Sequence, residues 1–169
     1  TAKGYSMEAL QGQVGRRMRD DFEKLKADYD VILCDCPPGI SVMTETVLAA
    51  SHLIIVPTIP DFMSTLGLDL FTGDIMRNLR GRDIENLPCV LATRFDGSAH
   101  QKVVLNAMRD AANAKETEFN MFNSVIPMKP GFATNPIELG PEPTLRAKWP
   151  GDALGIIEGL LKEVREKIQ

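Results

Sequence analysis

The most constraining feature of this sequence is a short apolar run that ends in a carboxylate. Residues 31–34 are all apolar, and Asp35 follows them directly. A short, continuous apolar run bounded by turn signals is typical of a β-strand buried on both faces. Proline and glycine at positions 37–39 then end any regular element. We therefore predict a buried strand over residues 31–34 that presents Asp35 at its carboxyl end.

The rest of the chain alternates between helical and strand patterns. Apolar residues at steps of three and four after Ser6, a plausible N-cap, predict a first helix of about five turns over residues 7–25. Further helices are predicted over residues 42–50, 62–79, 99–114 and 152–167, and further strands over residues 53–56, 88–92 and 122–126. Pro57 and Pro127 are expected to stop two of these strands, and residues 128–150 to form a long loop with one short helix. The alternation predicts an α/β fold, with a parallel β-sheet flanked by helices on both faces. At 169 residues the chain is expected to be a single domain, spanning residues 1–169.

Composition excludes several classes of protein. The sequence lacks the run of about 18 apolar residues that a membrane span requires. A net charge of -4 argues against a chain that coats nucleic acid with its whole surface, although a local basic patch stays open. Three cysteines make a disulfide framework improbable and favour a reducing compartment. We expect the thiols of Cys34, Cys36 and Cys89 to be buried packing groups, and His52 and His100 to form neither a metal site nor a catalytic dyad.

Ligands of open parallel sheets bind at the carboxyl ends of the strands. Asp35 follows the first predicted strand, and Pro57 and Asp61 follow the second. Residues 93–96 follow the third predicted strand, and Pro127 follows the fourth. An apolar run followed by aspartate is the Walker B arrangement, in which the carboxylate holds magnesium through a water. A turn or capping aspartate explains the same pattern, and the pattern alone leaves both interpretations open.

A longer stretch resembles a known family. Residues 29–39 read YDVILCDCPPG and resemble the switch II segment of the ParA/MinD-type ATPases, the deviant Walker A branch of the P-loop NTPases. The resemblance continues in register through residues 44–50, 53–57, 60–62 and 66–68 and the pair Ile126 and Pro127, and it is closer to the partition ATPases than to MinD or the nitrogenase iron protein. It implies ATP and Mg²⁺ as cofactors and Asp35 as the catalytic residue and water-mediated magnesium ligand. It also implies nucleotide contacts from Asp35, Pro37, Pro38, Thr93, Arg94, Ile126 and Pro127.

Two features of the family are missing. The sequence holds no G-x-x-x-x-G-K-[ST] motif, in the usual or the lysine-doubled form, and no switch I segment. We therefore expect the chain to be the C-terminal two thirds of a longer P-loop NTPase-like domain, inactive alone and incomplete at its N-terminus. The family's P-loop strand lies between the strand that carries Asp35 and the next strand, so its absence would leave a gap in the sheet.

The resemblance also implies partners. Partition ATPases form homodimers on ATP and bind DNA without sequence preference, and a DNA-binding adaptor protein stimulates hydrolysis, which suggests a cytoplasmic, nucleoid-associated protein. Candidate phosphate contacts are the cations Arg77, Arg80, Arg82, Arg146 and Lys148, which could equally be solvated helix ends. The last helix has no aromatic residue and a polar face of mixed sign, so we expect it to pack on the domain rather than on a membrane.

The sequence therefore predicts a magnesium-dependent ATPase of the plasmid or chromosome partition type, an ATP-switched dimer that binds DNA non-specifically. Two alternatives remain. One is a MinD-like positioning ATPase. The other is a non-catalytic interaction module that keeps the ATPase architecture and binds a partner protein through the surface around residues 60–82.

Overall fold

The computed structural model describes residues 7–37, 39, 41–76, 87–133, 144–149 and 151–168. The chain divides into two compact units. The first comprises residues 1–52 and 78–85, and the second comprises residues 53–77 and 86–169.

The first unit contains two helices, α1 (Met7–Asp28) and α2 (Val42–Ala50), which confirm the predicted helices. Helix α2 begins after Ser41, whose side chain accepts a hydrogen bond of 3.2 Å from the backbone N–H of Thr44. The two helices pack closely at Gly15, where an added Cβ would lie 3.2 Å from Oγ1 of Thr46. A side chain here would push the Thr46 hydroxyl back by a few tenths of an ångström, so glycine favours this close approach of α1 to α2.

The predicted strand over residues 31–34 is wrong. The segment is not a strand of the described sheet, and the side chains of Val31 and Leu33 are 70% and 90% exposed. A strand exists only where neighbouring strands accept and donate its backbone hydrogen bonds. The apolar pattern predicts the burial that such neighbours would provide, and the described residues contain no strand that supplies it here.

The second unit is built on a parallel sheet. Among the described residues it has three strands in the order β1 (Ile55–Thr58), β2 (Cys89–Phe95) and β3 (Asn120–Pro127). The helices of this unit are α3 (Phe62–Leu70), which continues as a π-helical segment over Phe71–Met76, α4 (Ala99–Asn113), α5 (Pro130–Ala133), α6 (Leu145–Lys148) and α7 (Ala153–Ile168). The predicted α/β fold with a parallel sheet is confirmed.

The two faces of the sheet carry separate apolar clusters, because successive strand residues point to opposite faces. On one face, Val90 of β2 packs with Leu68 of α3 and Met108 of α4. On the other face, Cys89, Leu91 and Phe122 pack with Leu160 and Val164 of α7. Helices therefore cover both faces of this sheet, as the alternation of elements predicts.

The element bounds differ from the predictions mainly at the strands. Pro57, which was expected to end its strand, lies inside β1 and pairs with Leu91. Proline is tolerated on an edge strand because the missing N–H then costs no ladder bond, and β1 is at an edge of the described sheet. Strands β2 and β3 continue to Phe95 and Pro127. Of the helix predicted over residues 62–79, the last three residues lie outside the described ones.

Helix α7 packs on the sheet as predicted, with Leu160 and Val164 against β2 and β3. Glu163, on the polar face of this helix, is half-buried rather than solvated, and its carboxylate accepts hydrogen bonds from β3. Leu161 and Ile168 of the same helix are exposed. Within the described ranges, none of the helices combines the length and apolar character that crossing a bilayer would require.

Candidate functional site

Asp35 lies in the first unit, on the extended segment that precedes α2. Its side chain is exposed, and so are those of its neighbours Cys36 and Pro37. Pro38 lies outside the described residues. The carboxylate that the sequence singles out is therefore accessible to solvent and to ligands, not buried among apolar groups.

A glycine turn joins this segment to α2. Gly39 has φ of 101°, a left-handed conformation that side chains other than glycine rarely adopt. Oγ1 of Thr44 donates a hydrogen bond of 3.3 Å to the carbonyl of Gly39, and the same hydroxyl lies 3.1 Å from Oγ of Ser41. Thr44 is itself buried. The turn that follows the two prolines is thus tethered to the first turn of α2.

The donor chemistry of this segment fits magnesium. Mg²⁺ prefers hard oxygen ligands and keeps several waters, so one carboxylate together with phosphates is sufficient. The part of the chain that the structure describes has no group of three or more His, Cys, Asp or Glu side chains able to hold a metal ion. Asp35 therefore fits a magnesium that is shared with a phosphate ligand.

The thiols only partly follow the prediction. Cys89 is buried in β2 as expected, and its burial raises the pKa of its thiol. Cys34 and Cys36 are exposed, so the prediction that they are buried is wrong. Burial would need strands beside residues 31–34, and the described residues contain none there. Partial burial, with smaller contributions from Cys34 and Asp35, raises the pKa of the Cys36 thiol.

In the second unit, the sheet brings four predicted nucleotide contacts together. Thr93 and Arg94 lie near the end of β2, and Ile126 and Pro127 lie at the end of β3, the neighbouring parallel strand. Arg94 is exposed and has φ of 51°, which is uncommon for a residue other than glycine. Thr93 is half-buried, and Ile126 packs partly against the apolar cluster beneath α7. Strained backbone of this kind is often found at ligand sites.

Two aspartates at the same edge were not singled out as site residues. Asp61 accepts a hydrogen bond of 2.7 Å from the N–H of Ser64 and caps α3, and Asp96 accepts one of 2.8 Å from the N–H of Ser98. These hydrogen bonds, with a smaller contribution from the charge of His100, hold the pKa of Asp61 and of Asp96 below its ordinary value. The signal in the sequence is an aspartate three residues after β1 and another directly after β2.

Of the candidate DNA contacts, only Arg146 and Lys148 can be placed. Both are exposed on α6, whereas Arg77, Arg80 and Arg82 lie outside the described residues. The ammonium group of Lys148 lies 5.9 Å from the centre of the Trp149 ring. Arg146 lines a groove of about 360 Å³ together with Trp149, Gly151, Leu154, Gly155 and Glu158. The carboxylate of Glu158 reduces the positive potential there.

Comparison with known proteins points to one family. Residues 4–85 match the model of a family described as an AAA domain. The chain is 31% identical over 86 residues to the chromosome partitioning protein ParA of Myxococcus xanthus, an alignment that covers 50% of this chain and 30% of that protein. It is 34% identical over 64 residues to the cell division protein PomZ of the same organism (37% of this chain, 20% of PomZ). It is 33% identical over 52 residues to the sporulation initiation inhibitor protein Soj of Bacillus subtilis (31% of this chain, 21% of Soj).

The chain therefore spans about a third or less of the length of these relatives. No solved structure matches it. The matched residues 4–85 include α1, Asp35 and α2, and they end before β2. The family model and these relatives together confirm the resemblance: over residues 4–85 the chain is similar to the ParA-like P-loop ATPases.

Proposed function

We propose that this chain belongs to a magnesium-dependent ATPase of the plasmid or chromosome partition type. The observation that carries the proposal is the accessible carboxylate of Asp35 beside the tethered Gly39 turn, within the residues that match the family. Asp35 would act as the catalytic residue and hold magnesium through a water, and Pro37 and Pro38 would sense the γ-phosphate. Bound magnesium would neutralise negative charge on the phosphates.

The activity is proposed for a polypeptide in which a P-loop accompanies this chain, because the sequence itself holds no P-loop motif. The residues proposed to contact the nucleotide base are Thr93, Arg94, Ile126 and Pro127. Their support is geometric: they lie on adjacent strands at the carboxyl edge of a parallel sheet, which is where ligands of such sheets bind. The guanidinium of Arg94 is exposed and free to approach a phosphate or a ring.

The decisive experiment compares Asp35→Ala with Asp30→Ala in that polypeptide. Asp30 is an exposed aspartate on the same segment and makes a matched control. We expect Asp35→Ala to abolish magnesium-dependent ATP turnover while the circular dichroism spectrum is unchanged, and Asp30→Ala to retain turnover. Turnover at the wild-type rate in Asp35→Ala would refute the assignment.

The same proposal includes an ATP-dependent homodimer that binds DNA non-specifically, with a DNA-binding adaptor that stimulates hydrolysis, in the cytoplasm and on the nucleoid. Dimerisation is tested by light scattering with and without ATP and magnesium. DNA binding is tested with Arg146→Ala and Lys148→Ala, because loss of a phosphate contact lowers both the affinity and its dependence on salt. Unchanged affinity and salt dependence in both variants would leave DNA binding to Arg77, Arg80 and Arg82.

A second candidate, a non-catalytic interaction module, is favoured by one observation. Helix α3 exposes four large apolar side chains: Phe62, Met63, Leu66 and Leu70. They lie within the surface around residues 60–82, and an exposed apolar stripe of this kind is typical of a protein contact. Calorimetry with ATP and magnesium on the P-loop-bearing polypeptide separates the candidates, because tight binding supports the ATPase and no binding supports the module.

A MinD-like role would require a membrane-binding segment. The candidate helix, α7, uses Leu160 and Val164 to pack on the sheet, so these side chains are not free to enter a bilayer. Liposome co-sedimentation that is lost on removal of α7 would favour the MinD-like role over partition.

A further inference from the structure

Strand β3 carries a bulge near its middle. Val90 pairs with Met121, but Ala92, two residues later on β2, pairs with Val125, four residues later on β3. The bulged strand thus has two more residues than its partner over this interval. Residues in a bulge leave the ladder, so their backbone groups need other partners.

Strand β2 carries a compensating irregularity. Between Ala92 and Phe95 it advances three residues while β3 advances two, from Val125 to Pro127. Arg94, with its positive φ, lies in this interval. Beyond both irregularities, Phe95 pairs with Pro127, and the N–H of Met128 donates a hydrogen bond of 2.8 Å to the carbonyl of Phe95. The position of Pro127 beside Arg94 therefore depends on the bulge in β3.

Two side chains from opposite faces of the sheet hold this bulge. The carboxylate of Glu163 on α7 accepts hydrogen bonds of 2.7 Å from the N–H groups of Asn123 and Ser124, and one of 2.5 Å from Oγ of Ser124. Nη2 of Arg109 on α4 donates a hydrogen bond of 2.8 Å to the carbonyl of Asn123. A carboxylate that accepts several hydrogen bonds is held firmly, because bonds to a charged acceptor are stronger than neutral ones.

We propose that Glu163 and Arg109 are positioning residues: by fixing the bulge in β3, they place Ile126 and Pro127 beside Thr93 and Arg94 in the arrangement that contacts the nucleotide base. The inference rests on the proposed function, because it assigns these two side chains to the same nucleotide edge. Neither side chain touches the ligand. Both act through the backbone of β3. Arg109 binds it at Asn123, three residues before Ile126, and Glu163 binds it at Asn123 and Ser124, three and two residues before Ile126.

A purely structural role makes a different prediction. Phe122, inside the bulge, is buried under α7 and would hold β3 to the core without Glu163. If Glu163 served only stability, its loss would weaken binding of every nucleotide ligand in proportion to the unfolded fraction. If it positions the base edge, its loss weakens binding of ATP and leaves binding of the phosphate chain alone unchanged.

The test uses the polypeptide that contains this chain and a P-loop. Glu163→Gln is compared with Glu166→Gln, a control at an exposed glutamate on the same helix. Arg109→Met is the second variant, and it removes the bond from the other face. Affinities for ATP and for tripolyphosphate, both with magnesium, are measured by calorimetry, and hydrogen exchange of the Asn123 and Ser124 amides is followed by NMR.

We expect Glu163→Gln and Arg109→Met to weaken ATP binding by about tenfold, the equivalent of one lost hydrogen-bond contribution, with tripolyphosphate binding unchanged. Exchange at Ser124 should be faster in Glu163→Gln and unchanged in Glu166→Gln. Equal losses of affinity for ATP and for tripolyphosphate would overturn the positioning role alone. So would an unchanged ATP affinity in both Glu163→Gln and Arg109→Met. If the wild-type protein binds tripolyphosphate and ATP equally, the base edge is wrong and this inference fails with it. If it binds neither, the proposed ATPase function fails as a whole.

Discussion

The N–H of Met128 donates a hydrogen bond of 2.8 Å to the carbonyl of Phe95, which ties the carboxyl ends of β2 and β3 together. Arg94, directly before Phe95, has a left-handed backbone with φ of 51°. The bond and the pairing of Phe95 with Pro127 hold Arg94 in this conformation, which costs an L-residue free energy. The edge proposed for the nucleotide base is thus a place where the fold stores strain.

Replacing Arg94 separates this strain from the charge. Arg94→Gly removes both, whereas Arg94→Ala removes the charge and keeps the strain. We expect Arg94→Gly to have a free energy of unfolding about 1 kcal/mol higher than Arg94→Ala, because glycine adopts positive φ without a Cβ clash. Urea unfolding monitored by circular dichroism measures the difference. Equal stability of the two variants would mean that position 94 is not strained.

Replacing two glycines of the second unit with alanine should change the free energy of unfolding in opposite directions. Neither Gly67 nor Gly97 has an atom within 4 Å of an added Cβ, but Gly97 has φ of 78° whereas Gly67 lies inside α3. We expect Gly67→Ala to raise the free energy of unfolding by about 0.5–1 kcal/mol through helix propensity. Gly97→Ala should lower it by about 1 kcal/mol through backbone strain. Thermal unfolding of both variants checks the signs, and a stabilising Gly97→Ala would contradict the left-handed turn.

Two phenylalanines of the same unit make a matched pair for burial. Phe122 is 1% exposed beneath α7, and Phe62 is 69% exposed on α3. We expect Phe122→Ala to lower the free energy of unfolding by about 3–5 kcal/mol, because it removes apolar contacts and leaves a cavity. Phe62→Ala should change it by less than about 0.5 kcal/mol. A large loss of stability in Phe62→Ala would show that this face is covered in solution.

The ionisation of Glu163 should make the free energy of unfolding depend on pH in the acidic range. Partial burial acts to raise the pKa of Glu163, but the hydrogen bonds from Ser124 and Asn123 outweigh it and lower the pKa below the ordinary value of 4.5. A lowered folded-state pKa stabilises the fold above the unfolded value, and this stabilisation is lost as pH falls through the folded value. Urea unfolding between neutral pH and pH below 4.5 should therefore show a steeper loss in wild type than in Glu163→Gln. Parallel curves would contradict the role of the carboxylate.

The three thiols should differ in reactivity. Cys34 and Cys36 are exposed and Cys89 is buried. We expect an aromatic disulfide reagent to modify two thiols quickly in the native protein and the third only after denaturation. Cys89→Ala is the control, since it should remove the slow phase alone. Three fast thiols would contradict the buried β2, and one fast thiol would contradict the exposed segment before Asp35.

The sequence was sufficient to predict those elements whose local signals agree with their burial in the structure. Helix α2 has the predicted bounds because Ser41 caps it and Gly39 and Pro37 end the preceding segment. The parallel sheet with helices on both faces follows from the alternation of apolar runs and helical patterns. These features depend on a few neighbouring residues, which a single sequence contains.

Features that depend on distant partners could not be predicted. Residues 31–34 have the composition of a buried strand, but a strand also needs neighbours that no local pattern reveals. Glu163 occupies a polar position of an amphipathic helix, and nothing near it in sequence indicates that its partners are the backbone of Asn123 and Ser124. The same is true of the influence of His100 on Asp61 and Asp96.

The exposure of Leu33 also bears on how the isolated polypeptide behaves at the bench. The extended stretch of residues 31–34 is largely exposed and has no neighbouring strand among the described residues, so its backbone is able to pair with that of a second molecule. Two molecules that meet through this stretch would satisfy each other's amide groups. Concentrated solutions should therefore associate through this stretch, and a chaperone or a solubilising fusion should keep the molecules apart.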